Sequence, residues 1–530
     1  MIERVLLDNG CFYQGGAEQP SLQSLLVEDG IIRAIAAPDA FSAALRRTSK
    51  KIDLQGQTVL PGLTDSHLHL MFLADQLSAV DCETGSLQEC LERVRVKTRA
   101  LSPGDWIIGY GWNQNAWQPA RYGTAAELES VSSGHPAVLY AKSLHASWAN
   151  ETALRAAGID ANSPDPDGGR ILRDERGNPT GILLENAMQL VDKFVPPLAG
   201  KRLEGMLKIA QNQLLSYGIT SVHDFDREAC YKALQALDAA GELILRVRKN
   251  LHGEHLAEII AEGLRSGSGS EHLFLGSLKY FADGALGPQT AAMLTPYENS
   301  DSTGILLMDA DEVFTQAARA SAAGWPLAIH AIGDLAVRSV LDGFARLRAW
   351  EEANKLSHLP QRIEHVQIIA PEDQPRLKAL GVIASMQPLH ATSDMFTADH
   401  HWGARSANAY ALNSLLQLGT LLIFGSDAPV ESANPFLGLH AALTRRRVSG
   451  EPGEEGWYPR QRIPLVQALN AYTSSPARSC GLGGSLGRVA VGYRADLTVL
   501  PRSPFLIDPH DLARLLPEMT LVDGKVVFQV

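Results

Sequence analysis

From about residue 58 to residue 486 the chain repeats one pattern. A short run of apolar, largely β-branched residues is followed by a longer stretch whose apolar positions fall at helical spacing. Eight such runs are candidate core strands: Thr58 to Thr64, Ile219 to His223, Leu243 to Asn250, Ser277 to Ala282, Pro326 to Ile329, Arg362 to Glu364, Val382 to Met386 and Leu421 to Gly425. Strands that alternate with helices in this way build an α/β fold around a parallel sheet, and eight is the number that closes a (β/α)8 TIM barrel.

The two ends have a different texture. Ile2 to Leu7, Ser24 to Glu28 and Ile31 to Ile35 are β-rich pieces separated by the turn pairs Asn9-Gly10 and Asp29-Gly30. Asp496 to Leu500 and Met519 to Phe528 repeat that style around Asp523-Gly524. Residues 1–57 and 487–530 therefore read as one small β domain assembled from both termini, flanking a barrel at 58–486. The gap between the first two barrel strands is far longer than one helix needs, so an insertion at 80–205 is expected, with strands of its own at Trp106 to Tyr110 and Ala137 to Ala141. It holds Trp106, Trp112, Trp117 and Trp148, half of the chain's 8 tryptophans. Bulky aromatics usually fill a core, which is one reading of these four. The other makes one or two of them a wall of a substrate pocket.

Composition narrows the functions. With 45% hydrophobic and 20% charged residues the chain is globular and not disordered. Its formal charge of −12 repels nucleic acid, which is given no role. The basic run Arg445-Arg446-Arg447 is read as the solvated face of a helix. Five cysteines, Cys11, Cys82, Cys90, Cys230 and Cys480, form no CxxC pair, arguing against a disulfide framework and a thiolate zinc cluster. With no long apolar stretch, neither a membrane span nor a leader is expected, and a reducing cytoplasm fits best.

The chemistry begins at TDSHLHL, residues 64–70. Side chains two apart on a strand point the same way, so His67 and His69 face one point. Alone, such a pair is weak. PLAIHAIGD, however, puts His330 directly after an apolar run, RIEHVQII does the same for His365, and LLIFGSDAPV ends with Asp427. Four histidines and one aspartate thus arrive at strand ends in different βα units, where a barrel gathers its ligands. Imidazole and carboxylate without thiolate suit zinc first, with Mn, Fe, Co and Ni open.

TDSHLHL after Pro61-Gly62, followed in order by His330, His365 and Asp427, resembles the metal-dependent amidohydrolase superfamily. Its members pair a (β/α)8 barrel with a β-sandwich built from both termini, and GSLGRVAVGYRADLTVL looks like the return into that sandwich. GWNQNAW, HASWAN, GGRILRDERGNPTGILLENA, KYFADGALG, HAIGD and EHVQ are similar to the amidohydrolase-3 branch, the YtcJ-like group that includes N-substituted formamide deformylases. The resemblance spans nearly the whole chain.

It implies a hydrolase of a non-peptide C–N bond in a small amide, formamide or N-acyl compound. By the same carry-over Lys279, on the fourth strand, becomes a CO₂-carbamylated bridge between two metals; without the family it would read as a solvated or salt-bridged cation. His67 and His69 would hold one ion and His330 and His365 the other, with Asp427 contacting the first metal and a metal-activated hydroxide. Asp427 would then serve as general acid and base. His145 is a candidate donor to the substrate carbonyl, or else a histidine hydrogen-bonded within the insertion. Asp334 and Glu364 are candidates to fix imidazole orientation. Glu185 competes with Lys279 as bridge, and a homodimer is expected from the superfamily.

Three alternatives stand beside this reading. A mononuclear site of His67, His69, His330 and Asp427, with His365 acting on water, would suit a deaminase or a cyclic-amide hydrolase. A metal-dependent binding protein without turnover would have little use for Asp427. A structural zinc would draw its ligands from nearby chain, unlike these. Specificity is expected from the loops after the strands, among them the insertion, Gly284 to Pro288, and His400-His401-Trp402.

Overall fold

The structure, a computed structural model, describes residues 3–16, 19–99, 101–102, 104–142 and 146–530. The chain divides into two compact units, Leu73–Ile209 and the remainder, Met1–Phe72 with Ala210–Val530.

The larger unit contains an eight-stranded sheet in which consecutive strands pair in parallel. In chain order its strands are Leu63–Leu68, Ile219–Asp224, Arg246–His252, Leu273–Phe281, Leu327–Ala331, Arg362–His365, Ile383–Met386 and Leu422–Phe424. Each pairs with the next. The first and eighth meet at their carboxyl ends, where the Asp427 amide donates to the His67 carbonyl at 2.7 Å and the His69 amide to Ala428 at 2.8 Å. This is the (β/α)8 TIM barrel expected from the strand count. The strands read as continuous apolar runs because helices cover a parallel sheet from outside while the barrel fills from within.

The terminal segments form a second eight-stranded sheet, with Met519–Val522, Leu497–Leu500, Thr58–Pro61, Arg4–Phe12 and Ser21–Glu28 adjacent in that order. It rolls up around one apolar cluster including Leu7, Leu25, Val59, Val499 and Leu521. The run read as a single strand over 58–64 is in fact two. Thr58–Pro61 pairs antiparallel with Leu497–Leu500 in the terminal sheet, and only from Leu63 does the chain enter the barrel. Gly62 makes the crossing possible: a Cβ there would lie 2.2 Å from Thr220 Oγ1, closer than any side chain can come. Nearby, at the amino-terminal end of the barrel, Arg246 is clamped by Asp496 at 2.7 and 3.1 Å and by Asp523 at 2.6 Å.

The smaller unit is built on a six-stranded sheet. Successive residues of its strands face opposite cores. Ile107, Leu139, Trp148 and Ile182 enter one apolar cluster, while Ile108, Val138, Ala149 and Leu183 enter the other. Trp112 and Trp117 join the first and Trp106 the second. The indole N–H groups of Trp112 and Trp148 donate to the carbonyls of Leu139 and Thr124 at 2.8 and 3.0 Å. Of the two readings of these tryptophans, the structure supports the core.

The basic run is corrected. Arg445 follows the helix Pro435–Thr444 as a left-handed cap with φ 57°, and it is fully buried. It lies 4.8 Å from the Trp457 ring and donates to the Trp457 and Tyr410 carbonyls at 3.0 and 3.2 Å. Burial lowers its pKa to about 9. Among the described residues, no helix is long and apolar enough to cross a membrane.

Candidate active site

The barrel delivers the sequence-predicted groups to its carboxyl-terminal mouth. His67 lies near the end of the first strand and His69 just beyond it, Lys279 on the fourth, His330 on the fifth, His365 at the end of the sixth, and Asp427 just after the eighth. Ring centroids of His67 and His365 are 4.9 Å apart, and those of His330 and His365 are 4.7 Å apart. Asp427 Oδ1 lies 3.5 Å from His67 Nε2 and 3.4 Å from His69 Nε2. His365 and Asp427 hold φ of 75° and 61°, uncommon for such residues and kept only where the surroundings enforce it.

One nitrogen of each imidazole is fixed from behind. His67 Nδ1 meets Glu364 Oε2 at 2.6 Å, His69 Nδ1 meets Asp226 Oδ1 at 3.3 Å, and His365 Nδ1 meets Gln387 Oε1 at 3.0 Å. His330 uses Nε2, which reaches the Gly284 carbonyl at 2.8 Å. The second nitrogen of His67 and of His69 faces Asp427, while those of His330 and His365 take no hydrogen bond among the described residues. Glu364 is itself gripped by Arg362, which also reaches the Ser66 carbonyl and Ser385 Oγ at 2.8 Å each. Asp65 ties the first strand to the eighth, accepting from Ser426 N at 3.0 Å and Ser426 Oγ at 2.5 Å.

Electrostatics follow from burial. Desolvation, aided by the Lys279 charge, pushes His67 down to about 4 and His330 to about 3. His365 is held well below its ordinary range by burial and by His330 beside it. These rings stay neutral, as nitrogen ligands must. Burial also opposes charge on His69, but Asp226 and Asp427 outweigh it and raise the ring to about 9. Burial disfavours the Asp427 carboxylate, yet His69, His67 and His365 hold it far below the usual carboxylate range. The ionised Asp427 thus stands among imidazole nitrogens, a donor set that fits a divalent cation. His67, His69 and Asp427 form one compact candidate group and His365, His390 and Asp427 another.

Lys279 is buried, with its ammonium 4.9 Å from the Phe225 ring and 4.8 Å from the Phe281 ring. Among the described residues no carboxylate forms an ion pair with it. Desolvation lowers its pKa to about 8, with Glu364 and Asp427 resisting. Glu185 ends the strand Pro179–Glu185 of the smaller unit and is exposed. Asp334 accepts from the Leu294 amide at 2.8 Å and from no imidazole among the described residues, so it ties down a loop. Glu364 orients His67, not the adjacent His365. His145 lies outside the described residues.

Sequence reasoning missed four groups here. Asp226 sits just past the second strand, Gln387 follows the seventh, and Asp65 precedes His67 by two residues. His390, in the helix Pro388–Ser393, approaches Asp427 Oδ2 to 4.0 Å. A polar residue at a strand end was the available signal for Asp226 and Gln387; nothing comparable marks His390.

Comparison with known proteins defines the class. The model of the amidohydrolase family matches residues 50–528, and the chain belongs to that family. It is a member of the metal-dependent amidohydrolase superfamily, a group of hydrolases. It is 32% identical to the protein YtcJ of Bacillus subtilis (strain 168) over 99% of both chains. It is 29% identical to the N-substituted formamide deformylase of Arthrobacter pascens over 97% of this chain and 96% of that one. Among solved structures, an uncharacterized metal-dependent hydrolase from Pyrococcus horikoshii OT3 aligns with a TM-score of 0.77 at 28% identity, covering 96% of this chain and 99% of the other.

Proposed function

We propose that the protein hydrolyses a C–N bond other than a peptide bond in a small amide, formamide or related N-acyl compound. The observation that carries this reading is Asp427, an ionised and strongly desolvated carboxylate placed between His67 and His69 at 3.5 and 3.4 Å. The similarity to an N-substituted formamide deformylase supports the substrate class. His67 and His69 would hold one zinc ion and His330 and His365 a second, with Lys279 between them. Zinc bound there would polarise the acyl oxygen and make water a nucleophile near neutral pH.

The protein's own groups do the rest. Glu364, Asp226, Gln387 and the Gly284 carbonyl keep the four rings turned toward the centre. Asp427 accepts a proton from the attacking water as its oxygen bonds to the acyl carbon. It then passes that proton to the nitrogen as the C–N bond breaks, leaving a carboxylic acid and an amine. Lys279, unpaired and lowered to about 8, has an accessible neutral amine. That amine can attack CO₂ and lose a proton, becoming an anionic carbamate.

The test combines zinc content, carbon-13 NMR after exchange with labelled CO₂, and turnover of formanilide to aniline and formate. Two ions per chain, a carbamate resonance lost in Lys279→Ala, and aniline release are expected. One ion with no carbamate would replace the bridged site by a mononuclear one. Deamination of a cyclic amidine with no amide cleaved would overturn the substrate class.

A further inference from the structure

His390 occupies the mouth with one ring nitrogen unpartnered. It is 5% exposed, and its Nε2 has no hydrogen-bond partner among the described residues. A buried polar atom left unpaired costs about 1–3 kcal/mol, and such atoms persist mainly where function uses them. Its Nδ1 faces the amide nitrogen of Gln367 at 3.5 Å, an arrangement in which Nδ1 accepts and Nε2 carries the proton. Among the described residues no carboxylate meets its Nδ1, unlike that of His67 and His69.

The two oxygens of Asp427 divide the site. Oδ1 faces His67 and His69, while Oδ2 faces His390 Nε2 at 4.0 Å. That separation is too long for a hydrogen bond. The His390 ring runs nearly parallel to that of His365, at 12° with centroids 6.3 Å apart, so its N–H and the His365 ligand nitrogen serve one space from neighbouring positions. An oxygen of a bound molecule placed beside Asp427 would come within reach of the Nε2 proton.

We infer that His390 is a catalytic residue whose Nε2–H donates to the acyl oxygen of the substrate, an oxygen that gains negative charge as water adds to the carbonyl carbon. This rests on the hydrolytic reading above. A fixed donor aimed at developing charge in a site shielded from water is worth about a hundredfold in rate. It also discriminates a tetrahedral anion from a planar amide, because only the former presents full charge to it.

The experiment uses the zinc-loaded full chain and two probes: methylphosphonate, a tetrahedral oxyanion, by calorimetry, and formanilide by turnover. In His390→Ala, methylphosphonate affinity is expected to fall about tenfold to a hundredfold and kcat about a hundredfold. KM, zinc content and melting temperature should stay near wild type. His390→Gln, whose amide N–H can reach the same point, should recover part of both losses. Equal methylphosphonate affinity in wild type and His390→Ala, no binding by wild type, or loss of zinc in the variant would each overturn the assignment. Binding that depends on His390 in a protein that cleaves no amide would instead overturn the hydrolytic reading and leave the contact standing.

Discussion

The barrel buries charge at both ends, and handles it in opposite ways. At its amino-terminal end the Arg246 guanidinium is clamped by Asp496 and Asp523, with Arg494 also on Asp523 at 2.9 Å, so opposite charges meet directly. At the carboxyl-terminal mouth, four imidazoles converge on one point with Asp427 as the carboxylate among them, Lys279 has no carboxylate ion-pair partner among the described residues, and His365 and Asp427 adopt strained backbone. The first cluster is complete, and its energy goes into holding strands together. The second is deliberately incomplete, and the unfilled valences converge on one point. Burial alone therefore says little about function; what separates the two ends is how many polar atoms remain unspent.

The sharpest way to break this contrast is at Asp427. Asp427→Asn keeps size and shape but removes the proton acceptor, so turnover should fall about a thousandfold while zinc content, measured by atomic absorption, changes little. If the variant retained full turnover, the incomplete cluster would not be catalytic. At the other end, Arg246→Met should leave zinc content unchanged and cost about 3 kcal/mol in urea unfolding, because Asp496 and Asp523 lose their buried partner. A loss of zinc without a loss of stability would reverse the roles assigned to the two ends.

A smaller effect concerns pH. Burial raises Asp65 at the mouth to about 7, with the hydrogen bonds from Ser426 working against it. Its folded pKa thus exceeds its unfolded value of ~3.9, so its contribution is full below that value and is lost as pH rises through about 7. Metal-free protein should lose about 1.4 kcal/mol between about pH 6 and about pH 8, and Asp65→Asn should flatten that slope. Asp523 behaves oppositely. Burial would raise it, but His272, Arg246 and Arg494 hold it well below the carboxylate range, so its contribution is lost only in strong acid. Urea unfolding of metal-free wild type and Asp65→Asn from about pH 6 to about pH 8 checks this.

Much of the barrel was legible because its strands are short apolar runs that end abruptly in polar residues. His67, His330, His365 and Asp427 stand at those endings, and so the mouth could be assembled from the sequence. Lys279 carries no such mark; only the family resemblance drew attention to it. The break at Gly62 was hidden because Thr58 to Thr64 reads as one continuous β-type run, and what divides it is the identity of its partners, Leu497–Leu500 on one side and Ile219–Asp224 on the other. His390 lies in a helix among residues that look like any capped turn, and its importance comes from Asp427, which folding alone brings near. Arg445 misled for a related reason. A cation in a basic run is normally solvated, but the ring and carbonyl of Trp457 enclose this one.

The crossing at Gly62 also makes the site depend on contacts between distant parts of the chain. The strand that presents His67 and His69 is continuous with one that rests on Leu497–Leu500, more than four hundred residues further along the chain. The strand beneath the first two histidines is therefore locked only once that distant segment has come back to it. The other half of the mouth is itself delivered late, by the fifth to eighth barrel strands. Contacts this distant in sequence form slowly and leave apolar edges waiting. The pair that begins the site is thus held in place by the parts of the chain most remote from it in sequence.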